Sequence, residues 1–108
     1  MVLNTNDPTN HAEIVAIRKA CTLLNTHDLS EYTIYSSCEP CPMCLSAITW
    51  ANIKTIYFGA GREYAASIGF RDDLIYELIQ GKNKIINIHN LSNEACINTL
   101  KNYEGEMY

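Results

Sequence analysis

The sequence predicts an α/β fold in which parallel strands are joined by helices. Segments with apolar residues at helical spacing alternate with short β-rich segments, in the order α-β-α-β-α-β-α. This alternation predicts parallel strands connected by right-handed crossovers. The chain has 108 residues, of which 47% are hydrophobic, so it can bury a core. We therefore expect one small domain over residues 1–108.

Four helices are predicted from apolar periodicity, and they cover about His11–Asn25, Met43–Ala51, Asp72–Ile79 and Ser92–Tyr103. Pro42 suits the first turn of the second helix. Gly81 ends the third helix, and Ser92 is the expected N-cap of the last.

Three β-rich runs predict strands at Tyr32–Ser37, Lys54–Phe58 and Lys84–Ile88. Residues 1–10 are polar and predict a loop, whereas residues 62–70 fit neither pattern clearly. The expected sheet therefore has three parallel strands.

The charge balance favours a small substrate over a long nucleic acid. The formal net charge is −4, and the eight Lys and Arg residues are scattered along the chain. Proteins that grip nucleic acid usually show a basic stripe, because release of counterions drives that binding. We therefore do not expect a nucleic-acid partner.

The apolar runs and the cysteines indicate a cytoplasmic protein. The longest apolar runs are only a few residues, too short to span a membrane, and no charged start precedes an apolar segment as in a secretory signal. The cysteine count is five, and three of these lie within seven residues, which does not resemble a disulfide framework. Reduced thiols, two or three of them on a metal, fit this pattern better.

Two short motifs point to a metal centre, His11-Ala12-Glu13 and Pro40-Cys41-Pro42-Met43-Cys44. His and Cys are zinc ligands, and a catalytic zinc site typically has three protein ligands and one open position. Residues i and i+2 of a helix point about 200° apart, so His11 and Glu13 can share a site only if His11 stands at the helix entrance. Alone, the first motif is common by chance and the second also fits a redox pair or half of a structural zinc site. Together they predict a catalytic zinc centre.

The same two motifs predict the chemistry of that centre. Zinc lowers the pKa of a bound water, and a carboxylate that is not a ligand can move protons to a leaving amine. H-x-E followed by P-C-x-x-C is the known signature of zinc deaminases. Glu13 is therefore the predicted acid/base, and His11, Cys41 and Cys44 are the predicted ligands.

With these motifs the sequence resembles the cytidine deaminase-like superfamily, within the branch that holds bacterial guanine deaminases and tRNA adenosine deaminases. The resemblance runs from about Val2 to about Gln80. The guanine side is favoured by several runs, which are Ala16-Ile17-Arg18-Lys19-Ala20-Cys21, Ser37-Cys38, Trp50-Ala51 and Gly69-Phe70-Arg71-Asp72-Asp73. The resemblance implies a three-layer α/β/α sandwich, a zinc cofactor, a purine substrate and a homodimer.

The resemblance also implies a further acidic residue in the substrate site. Asp72 falls where guanine deaminases place an acidic residue near the purine, although an Asp that merely begins a helix is an equal alternative. Asn4 and Asn6 precede the ligand His and are candidates for substrate contact, with loop capping as the simpler interpretation.

Two aromatic residues are weaker substrate-site candidates. Trp50 can line the pocket, but a lone Trp on a short helix is more often part of the core. Tyr108 can close the site, either in its own chain or in that of a partner subunit. The alternative is that it belongs to a frayed C-terminus with no role in the site. Cys38 is expected to be a small buried residue, and His27 and His89 are expected at the surface.

One departure from the family affects the pocket. Family members open with a helix and a β-hairpin before the H-x-E loop, and this sequence begins after them, so we expect an N-terminally truncated sheet with an open edge. Three functions remain open at this point. They are conversion of guanine to xanthine and ammonia, deamination of another nucleobase, nucleoside or tRNA adenosine, and an inactive zinc-binding remnant.

Overall fold

The computed structural model describes residues 2–108 and contains helices around a short parallel sheet. The elements are α1 (Val2–Thr5), α2 (Ala12–Leu24), β1 (Thr33–Cys38), α3 (Pro42–Trp50), β2 (Thr55–Ala60), α4 (Arg62–Ser67), α5 (Asp72–Ile79) and α6 (Glu94–Lys101). The predicted α/β class and the parallel direction of the strands are confirmed.

The sheet separates apolar and aromatic side chains onto its two faces. β1 and β2 pair in parallel, with Ile34 opposite Ile56 and Tyr35 opposite Tyr57. Because successive side chains point to opposite faces of a strand, the two Ile residues share one face and the two Tyr residues share the other. The Ile face packs on the core. The rings of Tyr35 and Tyr57 stack with centroids 5.3 Å apart and remain exposed.

The core lies between the Ile face of the sheet and helices α2 and α3. Its buried members are Leu29, Ile48, Ala51 and Ile53, and Ile17, Ala20, Cys21, Ile34 and Ile56 pack against them. The amide of Leu29 also donates a hydrogen bond of 2.8 Å to the carbonyl of Ala51. This packing fixes α2 beside α3, which brings the starts of both helices to one side of the molecule.

The predicted third strand, Lys84–Ile88, is wrong. Among residues 2–108, the sheet consists of β1 and β2 alone. Every residue from Lys84 to Tyr108 is exposed, so this segment buries no apolar face against the sheet. The run of Ile residues gives β propensity, but propensity forms a strand only where a neighbour pairs with it.

Two further expectations are corrected, and one segment left open is assigned, at the level of local structure. The predicted N-terminal loop contains the one-turn helix α1, and the ambiguous residues 62–70 contain α4. The N-cap of α6 is Asn93 rather than Ser92, because the Asn93 side chain accepts a 3.0 Å hydrogen bond from the amide of Cys96. Ser92 instead adopts a left-handed conformation with φ of 47°.

The chain exposes more surface than a compact domain of its size. Its radius of gyration is 16.8 Å, whereas about 13 Å is typical of a domain of this length. Its accessible surface is 8770 Å², against about 6000 Å² for a compact monomer of the same mass. Residues 84–108, which we call the C-terminal arm, are all exposed. Within residues 2–108, every helix is too short or too polar to cross a membrane.

We expect the small core to dominate the stability of the fold. Ile48 is 1% exposed, and its replacement by Ala should lower the free energy of unfolding by about 2–5 kcal/mol, because the lost contacts leave a cavity. Ile88→Ala in the C-terminal arm is the matched control, since Ile88 is 76% exposed and should change stability by less than about 0.5 kcal/mol. Urea unfolding of both variants measures the difference. Equal effects would show that the core is not where the structure places it.

Candidate metal centre

His11 stands at the entrance of α2, as its motif requires. It is the N-cap residue, with φ of −74° and ψ of 157°, and α2 begins at the next residue. Glu13 lies in the first turn of the helix. Because His11 is still extended, its ring does not follow the helical rotation that would point it away from Glu13. Both side chains therefore reach the same cleft.

Cys41 and Cys44 occupy the corresponding place on α3. Cys41 is the N-cap, with φ of −65° and ψ of 168°, and Pro42 follows at the first helical position. Residues three apart share a helix face, so Cys44 returns to the side of Cys41 one turn later. Both are buried, with Cys41 7% exposed and Cys44 0% exposed.

The three side chains converge on one point. Nδ1 of His11 lies 3.6 Å from Sγ of Cys41 and 3.5 Å from Sγ of Cys44. One donor atom from each residue lies within 4.8 Å of the others, which makes this group able to hold a metal ion. The sequence separates His11 from Cys41 by thirty positions, so the packing of α2 on α3 creates the cluster.

The electrostatics of the cluster fit a divalent cation. Burial raises the pKa of the Cys44 thiol well above its ordinary value, and the nearby Cys41 and Glu13 raise it further. Negative charge on these groups is costly here unless a cation offsets it. One imidazole nitrogen and two sulfurs form a donor set that zinc prefers, and three ligands leave a fourth position for water.

The cluster opens into a cleft of about 390 Å³. Its lining includes four of the predicted site residues, His11, Glu13, Cys41 and Asp72. Cys44 is fully buried and lies within the ligand group, next to Cys41 and His11. The residues that the two motifs singled out therefore surround one space large enough for a small ring compound.

Asp72 stands in the wall of this cleft at the first position of α5. Burial raises the pKa of its carboxyl group above the ordinary value, while the electrostatic effect of the nearby His11 ring acts in the opposite direction. A carboxyl group that is partly withdrawn from water and faces a cleft is a candidate for ligand contact.

The structure does not bring Trp50 and Tyr108 into the cleft. Trp50 ends α3 and is 62% exposed, so the expectation that it belongs to the core is wrong. The ring of Tyr108 packs on Trp50, with centroids 5.3 Å apart, and meets His27 at 6.2 Å. Within this chain both aromatic residues lie at the end of α3 opposite to Cys41. Closure of a neighbouring site by Tyr108 stays a prediction.

The sequence did not predict that several other residues line the cleft, namely Val2, Asn10, Ser36, Cys38, Glu39 and Phe70. Cys38, expected to be buried, is exposed in the cleft. Cys38 and Glu39 adjoin the Cys41 motif, and Phe70 is two positions from Asp72, so nearness in sequence was the available signal. Asn4 and Asn6 are exposed and are not among the lining residues, whereas His27 and His89 are at the surface as expected.

The fold and the site together define a zinc-binding α/β protein with a cleft beside the metal position. The sequence matches the family model described as "Cytidine and deoxycytidylate deaminase zinc-binding region" over residues 1–60. The chain therefore belongs to this deaminase family, and the predicted zinc cofactor and superfamily are confirmed.

Guanine deaminase and tRNA-specific adenosine deaminases are among its relatives. Guanine deaminase of Bacillus subtilis is 51% identical over 78 residues, which cover 72% of this chain and 50% of the relative. tRNA-specific adenosine deaminase of Rickettsia typhi is 46% identical over 55 residues, covering 51% of this chain and 37% of the relative. The chain thus spans about half or less of the length of these two relatives.

A solved structure shows the same fold. The X-ray structure of guanine deaminase from Bacillus subtilis superposes with a TM-score of 0.76 and 37% sequence identity, covering 99% of this chain and 71% of that chain. The predicted cytidine deaminase-like architecture is confirmed by this match.

We expect Cys44→Ala to abolish stoichiometric zinc binding. The variant removes a buried sulfur from the donor group, and two remaining ligands hold zinc poorly. Cys96→Ala is the matched control, because Cys96 is exposed on α6 and lies outside the cluster. Metal analysis after gel filtration should give about one zinc per chain for the control. Full zinc content in Cys44→Ala would remove Cys44 from the ligand set.

The raised pKa of Cys44 predicts opposite effects of pH on the metal-free and the zinc-loaded chain. Without metal, the folded state retains the thiol proton while the unfolded state releases it above the ordinary pKa of 9.0. The free energy of unfolding should then fall as pH rises above that value. With zinc, the folded thiolate carries no proton, so stability should rise with pH up to the same value.

Urea unfolding at several pH values, with a chelator or with zinc, tests this prediction. Cys96→Ala should keep both trends, since that residue is exposed. Identical pH dependence with and without zinc would contradict the assignment of Cys44 as a thiolate ligand.

Proposed function

We propose that this chain holds zinc through His11, Cys41 and Cys44 and hydrolyses guanine to xanthine and ammonia, with Glu13 as the acid/base. The observation that carries the proposal is the shared cleft. His11, Cys41, the Glu13 carboxylate and the Asp72 carboxyl line a space of about 390 Å³, and Cys44 lies beside the two ligands that line it.

The reaction requires one water and a relay of protons. Bound zinc supplies Lewis acidity, which makes a water deprotonate near neutral pH. The Glu13 carboxylate takes a proton as the water oxygen attacks the ring carbon that bears the exocyclic amine. Glu13 passes that proton to the ring nitrogen and then moves the proton of the newly added hydroxyl to the departing amine, so that guanine and water yield xanthine and ammonia.

Two observations support Glu13 as the group that carries out this proton transfer. It lies in the first turn of α2, and its carboxyl group is close enough to the Cys44 thiol to interact with it. It is therefore beside the metal position without being a member of the ligand group.

Asp72 supports a purine substrate. Guanine carries N–H donors on its ring and on its amine, and a carboxylate accepts such donors in pairs. Asp72 lines the cleft together with Phe70, whose exposed ring offers an apolar surface to a planar base. Trp50 and Tyr108 lie elsewhere in this chain, so a role for either in substrate binding depends on a second subunit.

A tRNA adenosine is the second candidate substrate, because tRNA-specific adenosine deaminases are among the relatives. The enzyme of Buchnera aphidicola is 35% identical over 102 residues, which cover 94% of this chain. The net charge of −4 and the scattered Lys and Arg residues disfavour a polyanionic substrate. We therefore rank guanine first.

We also propose a cytoplasmic homodimer. The excess accessible surface and the exposed apolar residues of the C-terminal arm, which include Ile85, Ile88, Leu91, Leu100 and Met107, support an assembly. Large exposed apolar surfaces favour contact with another chain. The free cysteines, two of them in the ligand group, support a reducing compartment.

Ammonia release by the zinc-loaded chain tests the substrate proposal. We expect guanine to be turned over faster than adenine, cytosine, the nucleosides and a tRNA substrate under the same conditions. Faster release from tRNA would support the second candidate. Zinc binding without ammonia release from any of them would identify the chain as an inactive zinc-binding protein.

We expect Glu13→Gln to retain zinc and the fold while lowering kcat by about 10²–10⁴-fold, because positioned proton transfer contributes this much to catalysis. Glu63→Gln is the matched control, since Glu63 lies in the first turn of α4 and outside the ligand group and cleft lining. Rates of xanthine formation, with zinc content measured on the same samples, make the comparison. A Glu13→Gln rate within a few-fold of the parent would assign proton transfer to another group.

A further inference from the structure

Glu39 makes two contacts that join the loop before Cys41 to the turn after β2. Its amide donates a 2.7 Å hydrogen bond to the carbonyl of Ala60. Its side-chain Oε1 accepts a 3.1 Å hydrogen bond from the amide of Arg62, the first residue of α4. Glu39 is only partly exposed, and it forms part of the cleft wall. Glu39 thus links the paired ends of β1 and β2 to the start of α4.

The Arg62 side chain continues this connection to α5. Nε of Arg62 lies 3.7 Å from Oδ1 of Asp73, and its guanidinium lies over the ring of Tyr76, 4.3 Å from the centroid. The ion pair is about half exposed and therefore weak. The backbone of Arg62 is held by Glu39, and its side chain contacts the helix that begins with Asp72.

The segment between α4 and α5 carries two cleft residues. The amide of Phe70 donates a 3.1 Å hydrogen bond to the carbonyl of Ala65, so the position of Phe70 follows that of α4. Gly69, with φ of +100°, allows the reversal that returns the chain to the cleft. Phe70 and Asp72 both line the cleft, together with His11 and Cys41.

We propose that Glu39 is a positioning residue for substrate, which holds α4, and through it Phe70 and Asp72, at a fixed distance from the zinc ligands. The inference rests on the proposed deaminase function. Glu39 is not a member of the ligand group, so its loss changes the substrate-binding wall rather than the metal. The expected consequence is a change in KM with kcat largely retained, the signature of lost substrate binding.

The first experiment removes or preserves the acceptor oxygen. Glu39→Ala should raise KM for guanine about ten-fold, because the loss of a charge-assisted hydrogen bond displaces the binding wall. Kcat and zinc content should stay within about three-fold of the parent. Glu39→Gln keeps an oxygen at the same position and should restore KM. Ser67→Ala, which removes a 2.6 Å hydrogen bond at the other end of α4, is the matched control and should behave as the parent.

The second experiment removes the donor and does not depend on the folding of the Glu39 variants. Arg62→Pro lacks the amide hydrogen but suits the first position of a helix, and the preceding Gly61 is extended, as a residue before proline must be. Arg62→Ala keeps the amide and loses only the exposed side chain. We expect the Pro variant to raise KM about ten-fold and the Ala variant to raise it by less than about five-fold.

Backbone amide NMR spectra of the zinc-loaded chains provide a readout without turnover. Glu39→Ala and Arg62→Pro should shift the resonances of Phe70 and Asp72, whereas Glu39→Gln and Ser67→Ala should not. Unshifted resonances in both disruptive variants, or a Gln variant as impaired as the Ala variant, would overturn the positioning role. If the parent chain does not deaminate guanine, the proposed function is wrong, but the NMR spectra still test the positioning role of Glu39.

Discussion

The packing of α2 against α3 over Ile48 places every candidate zinc ligand. Each helix contributes its ligands at or just before its first turn, where the backbone is still extended or has only begun to rotate. The buried contact between the two helices aligns these starts, and the distances from His11 Nδ1 to the two sulfurs follow. The core is small, so the geometry of the site depends on few apolar contacts.

A metal ion at this position would offset the unfavourable free energy of placing negative charge on the buried ligand group. Two thiols and a carboxyl group lie close together, and burial disfavours charge on Cys44 most strongly. A divalent cation reverses this cost by stabilising the thiolates. Metal binding is then linked to folding, because the ligand group exists only when α2 and α3 are packed. Zinc thus contributes both to the chemistry of the site and to the stability of a chain with little buried surface.

Several apolar and hydrogen-bonding surfaces of the single chain are left uncovered. The Tyr face of the sheet, formed by Tyr35 and Tyr57, has no covering layer among residues 2–108, and the outer edges of β1 and β2 are unpaired. Open edges and apolar faces favour association with another chain. The C-terminal arm adds further apolar side chains to this surface. These features agree with the proposed dimer, in which such surfaces are buried.

The sequence by itself determined the local parts of this protein. Apolar spacing identified the long helices, and the predicted bounds of α5 coincide with those observed, because periodicity and end signals act within one element. The motif around His11 and the motif around Cys41 identified the ligand types, since metal preference depends on the chemistry of the side chains. The extended entry of His11 into α2 also followed from the two-residue spacing to Glu13.

Only the tertiary structure decided which distant residues share the cleft and which predicted elements exist. Lys84–Ile88 has the composition of a strand but is unpaired among residues 2–108, and Trp50 is 62% exposed although the ring of Tyr108 packs on it. The hydrogen bond from Arg62 to Glu39, which spans 23 positions, is likewise invisible in the sequence. Pairing, burial and long-range hydrogen bonds depend on how elements pack, and no local pattern of residues encodes that packing.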